Sequence, residues 1–179
     1  MDPVLNWILR CDLALLFAVA AAHKLSDLST FVQTLRDYRV LLGSLAPPAA
    51  AVVILAEIGI TAELLIASDI RPVAGAAIAL LCVYSFSIAI NLARGRREID
   101  CGCLGPSKRS PISNALLFRN AALAFAAALI MIPVSSRSLH LVDVLTIAGG
   151  LAATALVFMA SQQLAALTAM ARIRRTAHD

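Results

Sequence analysis

The chain has 179 residues, 60% of them apolar and only 15% charged, with a formal net charge of +4. Soluble domains carry about 25% charged residues, and a mean hydropathy of +0.86 leaves more apolar surface than a soluble fold of this size can hide. This excludes an ordinary soluble domain in favour of a protein dissolved in the lipid bilayer; the basic residues lie between apolar runs, the pattern of membrane orientation and not of nucleic-acid binding.

Five apolar runs follow in chain order: about Val4 to Ala22, Leu45 to Ala67, Pro72 to Ala93, Ala115 to Pro133, and a fifth from near Leu139 that fades near Ala171. Each suits a helix of roughly 20 residues across the hydrocarbon core. Backbone groups in lipid must bond internally, which leaves helices or a closed barrel, and continuous runs without alternation favour helices. In the first run, Ala18 to Ala22 resembles a cleavage region, but the N-terminus offers Asp2 and no early Lys or Arg, so a retained span is expected. Between the first two runs, Leu28, Phe31, Val32, Leu35 and Tyr38 recur at helical spacing with polar residues between them. That fits a short interfacial helix capped by Ser26 or Asp27, or else a connecting loop. Pro47 and Pro48 suit the first turn of the second span. No internal repeat or second domain interrupts the pattern. Residues 1–179 are therefore expected to form one all-α, polytopic bundle of about five transmembrane helices.

The sharpest chemistry lies at residues 100–105, Asp-Cys-Gly-Cys-Leu-Gly. Cys101 and Cys103 can close a strained, easily reduced disulfide. Gly102 and Gly105 permit the turn such a small ring needs, while Asp100 opposes thiolate formation and Arg94, Arg96, Arg97, Lys108 and Arg109 favour it. Inert thiols and a metal clip remain alternatives. Zinc would need two more ligands, and no second Cys pair is near, so no metal site is expected; two thiolates alone would suit Cu(I). Cys11 and Cys82 lie inside apolar runs, as small core residues or as relay partners. Cys82 sits about 11 residues from the end of its run, roughly 16 Å deep.

Ionisable groups in spans face the bundle interior. Arg10, Asp12, His23, Lys24 and Asp143 lie near span ends, where snorkelling is the alternative, and His23 and Lys24 are counted with the buried polar residues. Glu57 and Arg119 lie deeper and are expected to pair, with Asn120 adding hydrogen bonds, or else to serve binding or proton movement. Glu63 falls on a different helix face from Glu57.

Several elements together carry a resemblance: Ala-His-Lys-Leu at 22–25, Phe31, Asp-Tyr-Arg at 37–39, Asn-Leu-Ala-Arg-Gly-Arg-Arg at 91–97, Asp-Cys-Gly-Cys at 100–103 and Arg-Asn at 119–120. The chain resembles the MauE family of methylamine utilisation membrane proteins, within the DoxX-like group, over nearly its whole length. The resemblance implies a multi-pass protein of the bacterial inner membrane. It further implies a role in forming or correcting disulfides in a periplasmic client, the small (beta) subunit of methylamine dehydrogenase, with a thioredoxin-like MauD-type partner. Cys101 and Cys103 would then be the catalytic thiols, with no obligatory cofactor. Competing readings are a membrane chaperone without turnover, a quinone- or small-molecule-binding subunit as the DoxX-like relationship allows, and a Cu(I) handler.

With five spans, Arg10, Arg71 and Arg137 share one side, and Lys24, Arg36, Arg39, the Cys loop and Arg172, Arg174 and Arg175 share the other. The positive-inside rule then puts the C-terminus in the cytoplasm. A periplasmic client would prefer the Cys loop outside, so the two arguments diverge for that loop.

Overall fold

A computed structural model describes residues 1–40, 42–96, 112–135 and 137–176. Among these the chain forms six α-helices and no strand: α1 (Pro3–Ser26), α2 (Leu28–Tyr38), α3 (Ala46–Ile66), α4 (Arg71–Ala93), α5 (Asn114–Ile130) and α6 (Leu141–Thr176). All five apolar runs are helices, and the amphipathic segment is the short α2. Asp27, its cap, accepts a hydrogen bond from the Thr30 backbone N–H, and Pro47 and Pro48 open α3 as expected.

Length and apolarity suit α1, α4 and the segment Gly43–Ile66 for crossing a membrane. α5 has 17 residues, at the lower limit of about 17–25 for a span. α6 is apolar over Leu141–Val157, and its backbone stays helical to Thr176, past the point where the apolar run fades. The outer surface is apolar, with Leu15, Leu55, Ile66, Phe86, Phe118 and Phe125 exposed, while Asn6, Arg10, Lys24, Glu57, Asn91 and Asn120 are buried. In water such a surface would drive association. In lipid it is the solvated face, and the polar groups belong inside. The molecule is a polytopic membrane helical bundle.

α1 is the hub. Its stripe Arg10, Leu13, Ala14, Phe17, Ala21 and Lys24 is buried at three- and four-residue spacing. The facing stripe on α3 is Ala50, Ile54, Glu57, Ile60 and Leu64. Leu13 and Phe17 meet Ile60, Leu64, Ala77, Leu81 and Ala127 in one core cluster. α6 approaches α1 closely at Gly150, where a Cβ would stand 2.8 Å from Ile8 Cδ1, and Thr154 donates to Asp12 across the same contact. α2 folds back over α3 through Phe31, Ala50 and Ile54.

Two polar ties fix the ends. Arg10 lies inside the bundle, not snorkelling: its Nε donates to the Leu64 carbonyl at 2.7 Å and an Nη to the Ala67 carbonyl at 3.2 Å. Helices leave their last carbonyls unpaired, and Arg10 satisfies two of them for α3 while lying 4.5 Å from the Trp7 ring. At the other end, α2 stops at Arg39, which is left-handed (φ 48°). The freed carbonyls of Asp37, Tyr38 and Arg39 accept from Arg96, Asn91 and Arg94 of α4 and its exit turn. The Asp-Tyr-Arg and Asn-to-Arg sequence elements thus form one latch.

Removing the first tie should be measurable. Arg10→Leu strands two carbonyls, at about 1–3 kcal/mol each for a buried unsatisfied group. A lower thermal midpoint is expected, and Arg10→Lys should recover little of it, because one ammonium lacks the planar fork. Parent-like melting of Arg10→Leu would show the contact to be idle.

Candidate functional site

A cavity of about 380 Å³ lies between α1, α3, α4, α5 and α6. Its polar lining comprises Asp12, His23 and Lys24 of α1, Glu57 of α3, Tyr84 of α4, Arg119 and Asn120 of α5, and Thr154 of α6. The rest is mostly apolar, with Leu13, Phe17, Leu81 and Leu123 prominent.

Helical spacing explains how these groups meet. Lys24 continues the buried stripe of α1, seven residues beyond Phe17, and Glu57 sits mid-stripe on α3. Lys24 Nζ donates to Glu57 Oε1 at 2.5 Å, with the side chains 3% and 0% exposed. Tyr84 Oη donates to the same oxygen at 2.7 Å. The ammonium also lies 5.4 Å from the ring centres of both Phe31 and Tyr84. Carboxylate, ammonium and phenol therefore tie α1, α3 and α4 at one point.

One expectation is corrected here. Glu57 pairs with Lys24, not with Arg119. Both Glu57 and Arg119 line the cavity, but Glu57 Oε2 and Arg119 Nε are each buried without a hydrogen-bond partner, as is His23 Nδ1. Lys24 is buried, as expected, and does not take the snorkelling alternative. It lies two residues from the end of α1, yet α2 turns back at Asp27 and brings Phe31 over it. Asn120 is buried at the cavity wall, as its place beside Arg119 led one to expect, and Glu63 is exposed while Glu57 is not.

Sequence reasoning missed Tyr84, which carries no motif signal; Asp12 and Thr154 were equally unremarkable as a pair. Cys11 is half-buried on α1. Cys82 is exposed on α4, facing away from the core, and does not line the cavity. Asp100, Cys101, Gly102, Cys103 and Gly105 lie outside the described residues.

The Lys24–Glu57 pair should be strongly coupled. Removing one partner leaves an uncompensated buried charge, at a cost of about 3–5 kcal/mol. Lys24→Met or Glu57→Leu alone should sharply lower protein abundance and thermal stability, and the double change should regain most of the loss. Strictly additive losses would show that the two charges do not depend on each other.

A family model described as methylamine utilisation protein MauE matches residues 2–133. The methylamine utilization protein MauE of Paracoccus denitrificans is 38% identical over 123 residues, which is 69% of this chain and 66% of that protein. Its counterpart in Paracoccus versutus is 37% identical over 122 residues, 68% of this chain and 66% of that protein. That of Methylorubrum extorquens is 36% identical over 126 residues, 70% of this chain and 68% of that protein. The chain thus spans about two thirds, 66%, of the first two relatives' length. No solved structure matches. The family match ends at Pro133, so it is narrower than the nearly whole-chain likeness read from the motifs, and α6 lies beyond it. The latch, the Cys element and the polar residues of α1, α3, α4 and α5 all fall within the matched region, and the chain belongs to the MauE family of methylamine utilisation proteins.

Proposed function

We propose that this protein performs thiol–disulfide exchange at the bacterial inner membrane through Cys101 and Cys103, in support of disulfide maturation of an exported client. The observation that carries the reading is the Asp-Cys-Gly-Cys element in a MauE-family chain, a few residues after Arg96. Arg94 and Arg96, just before that element in the sequence, donate to the Arg39 and Asp37 carbonyls at the end of α2. By family, the client is a component of methylamine utilisation, the methylamine dehydrogenase small subunit. The partner is a thioredoxin-like, MauD-type protein.

The chemistry balances without a resident cofactor. One cysteine thiolate attacks a sulfur of the partner's disulfide, forming a mixed disulfide and expelling the partner's other sulfur as thiolate. The second cysteine, as thiolate, then attacks the mixed disulfide at the first cysteine's sulfur. This leaves Cys101–Cys103 oxidised and the partner as dithiol, two electrons having moved to the partner. The reverse sequence oxidises the partner. Ring strain in a Cys-x-Cys disulfide favours passing the oxidation onward.

Interrupting the second attack should trap the first adduct. In Cys101→Ser or Cys103→Ser cells, a non-reducing gel is expected to show a reducible complex containing a thioredoxin-like protein. Absence of an adduct in both variants would favour a chaperone role without turnover.

Orientation is separately testable. By the positive-inside rule, the basic residues near the C-terminus predict a cytoplasmic tail. A cysteine introduced at position 177 of a chain lacking its other cysteines should resist an impermeant maleimide in intact spheroplasts and react after permeabilisation. Labelling in intact spheroplasts would invert the topology. The same reagent on a chain retaining only Cys101 identifies the face at which exchange occurs.

A further inference from the structure

We infer that the interior cavity binds a neutral, lipid-soluble molecule whose compact oxygen-bearing head both accepts and donates hydrogen bonds. The head would accept from Arg119 Nε–H and donate to Glu57 Oε2.

Three observations carry this. The first is the unspent hydrogen-bonding capacity. Glu57 is fully buried, and both Lys24 and Tyr84 bond its Oε1, leaving Oε2 without a partner. Arg119 Nε is likewise buried and unpartnered at the same cavity. Leaving such buried groups unmet is costly, more so when they are charged. One acceptor and one donor on residues lining the same cavity call for a ligand that offers the reverse of each. The second is charge. The two acidic side chains, Asp12 and Glu57, balance the two basic ones, Lys24 and Arg119, around the cavity. An anionic head would sit beside the free oxygen of Glu57, and a cationic head beside Arg119; neither gains a net counter-ion. The third is shape and access. The volume of about 380 Å³ lies within the roughly 300–1,000 Å³ of small-molecule sites, and the wall away from the polar groups is apolar. Leu15, Val19 and Met159 line the cavity and are also exposed on the lipid-facing surface. The cavity therefore reaches the bilayer, and a ligand would enter from it.

Two sources offer such a head: a quinol, with hydroxyls on a ring, and a neutral glyceride, with hydroxyl and ester oxygens. The inference stands apart from the thiol chemistry and is read without it. Full-length protein in dodecylmaltoside would be titrated calorimetrically with decylubiquinol, decylubiquinone, 1,2-dioctanoylglycerol and decanoate, with empty micelles subtracted. The expected result is saturable one-to-one binding of decylubiquinol or of dioctanoylglycerol, the tighter of the two identifying the source. Decylubiquinone should bind more weakly than decylubiquinol, because it has no proton for Glu57. Arg119→Met, which breaks no ion pair, should weaken binding roughly tenfold to a hundredfold, the equivalent of one charged hydrogen bond. Leu123→Trp should abolish binding by filling the apolar part, with the thermal midpoint showing that the variant is folded. A Cys101→Ser/Cys103→Ser chain should bind as the parent does. No binding by the neutral probes, preference for decanoate, or affinity indifferent to both variants would overturn the inference.

Discussion

A lysine and a glutamate cannot sit apart inside a lipid-embedded bundle, and the architecture follows from that constraint. Transfer of a lone charge into a low-dielectric interior costs several kcal/mol even after relaxation. Lys24 and Glu57 meet this by direct contact on the buried stripes of α1 and α3. The contact fixes the rotation of both helices, since turning either by one residue, about 100°, would carry its charge towards lipid. Tyr84 brings α4 to the same oxygen, and α2 supplies the Phe31 ring that closes over the ammonium. Apolar packing around Leu13, Phe17 and Leu64 holds the helices together without choosing among rotations so sharply. The ion pair makes that choice.

The second organising device is the repair of helix ends. In water, terminal carbonyls bond solvent; near the bilayer core they need protein donors. Arg10 serves the end of α3, and Asn91, Arg94 and Arg96 serve the end of α2. Arginine suits both places because its fork reaches two acceptors and remains charged. The basic residues before the Cys element therefore have structural work. Arg94 and Arg96 hold α2 in place, and any effect they have on thiolate formation at Cys101 and Cys103 is additional to that.

The sequence was most readable where physics acts one segment at a time. Apolar run length set all five long helices to within a few residues, and the Leu28, Phe31, Leu35 spacing with Asp27 marked α2 and its cap. The interior was less readable, because partner choice depends on relative helix rotation and on which element folds over which. Glu57, Arg119 and Asn120 were recognised as interior groups from their depth alone, yet Arg119 was the wrong partner for Glu57. Lys24 was counted among the buried groups without a partner, because the return of α2 across it is a tertiary event. Tyr84 had no signal at all: a single phenol in an apolar run reads the same whether it faces lipid or a carboxylate.

The two regions picked out by motif are coupled through the same helices. Lys24 ends the buried stripe of α1 just before Asp27 caps α2; Tyr84 precedes Asn91 by seven residues on α4, two helical turns along a similar face. Glu57 thus holds the α1 side and the α4 side of the cavity, while Asn91 holds α4 to the far end of α2. A shift of α4 along its axis would disturb Tyr84–Glu57 and the α2 latch together, since one rigid helix carries both donors. A ligand that engaged Glu57 Oε2 would therefore bias the position of the helix from which the Cys101–Cys103 segment departs. The bias can be no larger than the difference in the ligand's affinity for the two helix positions.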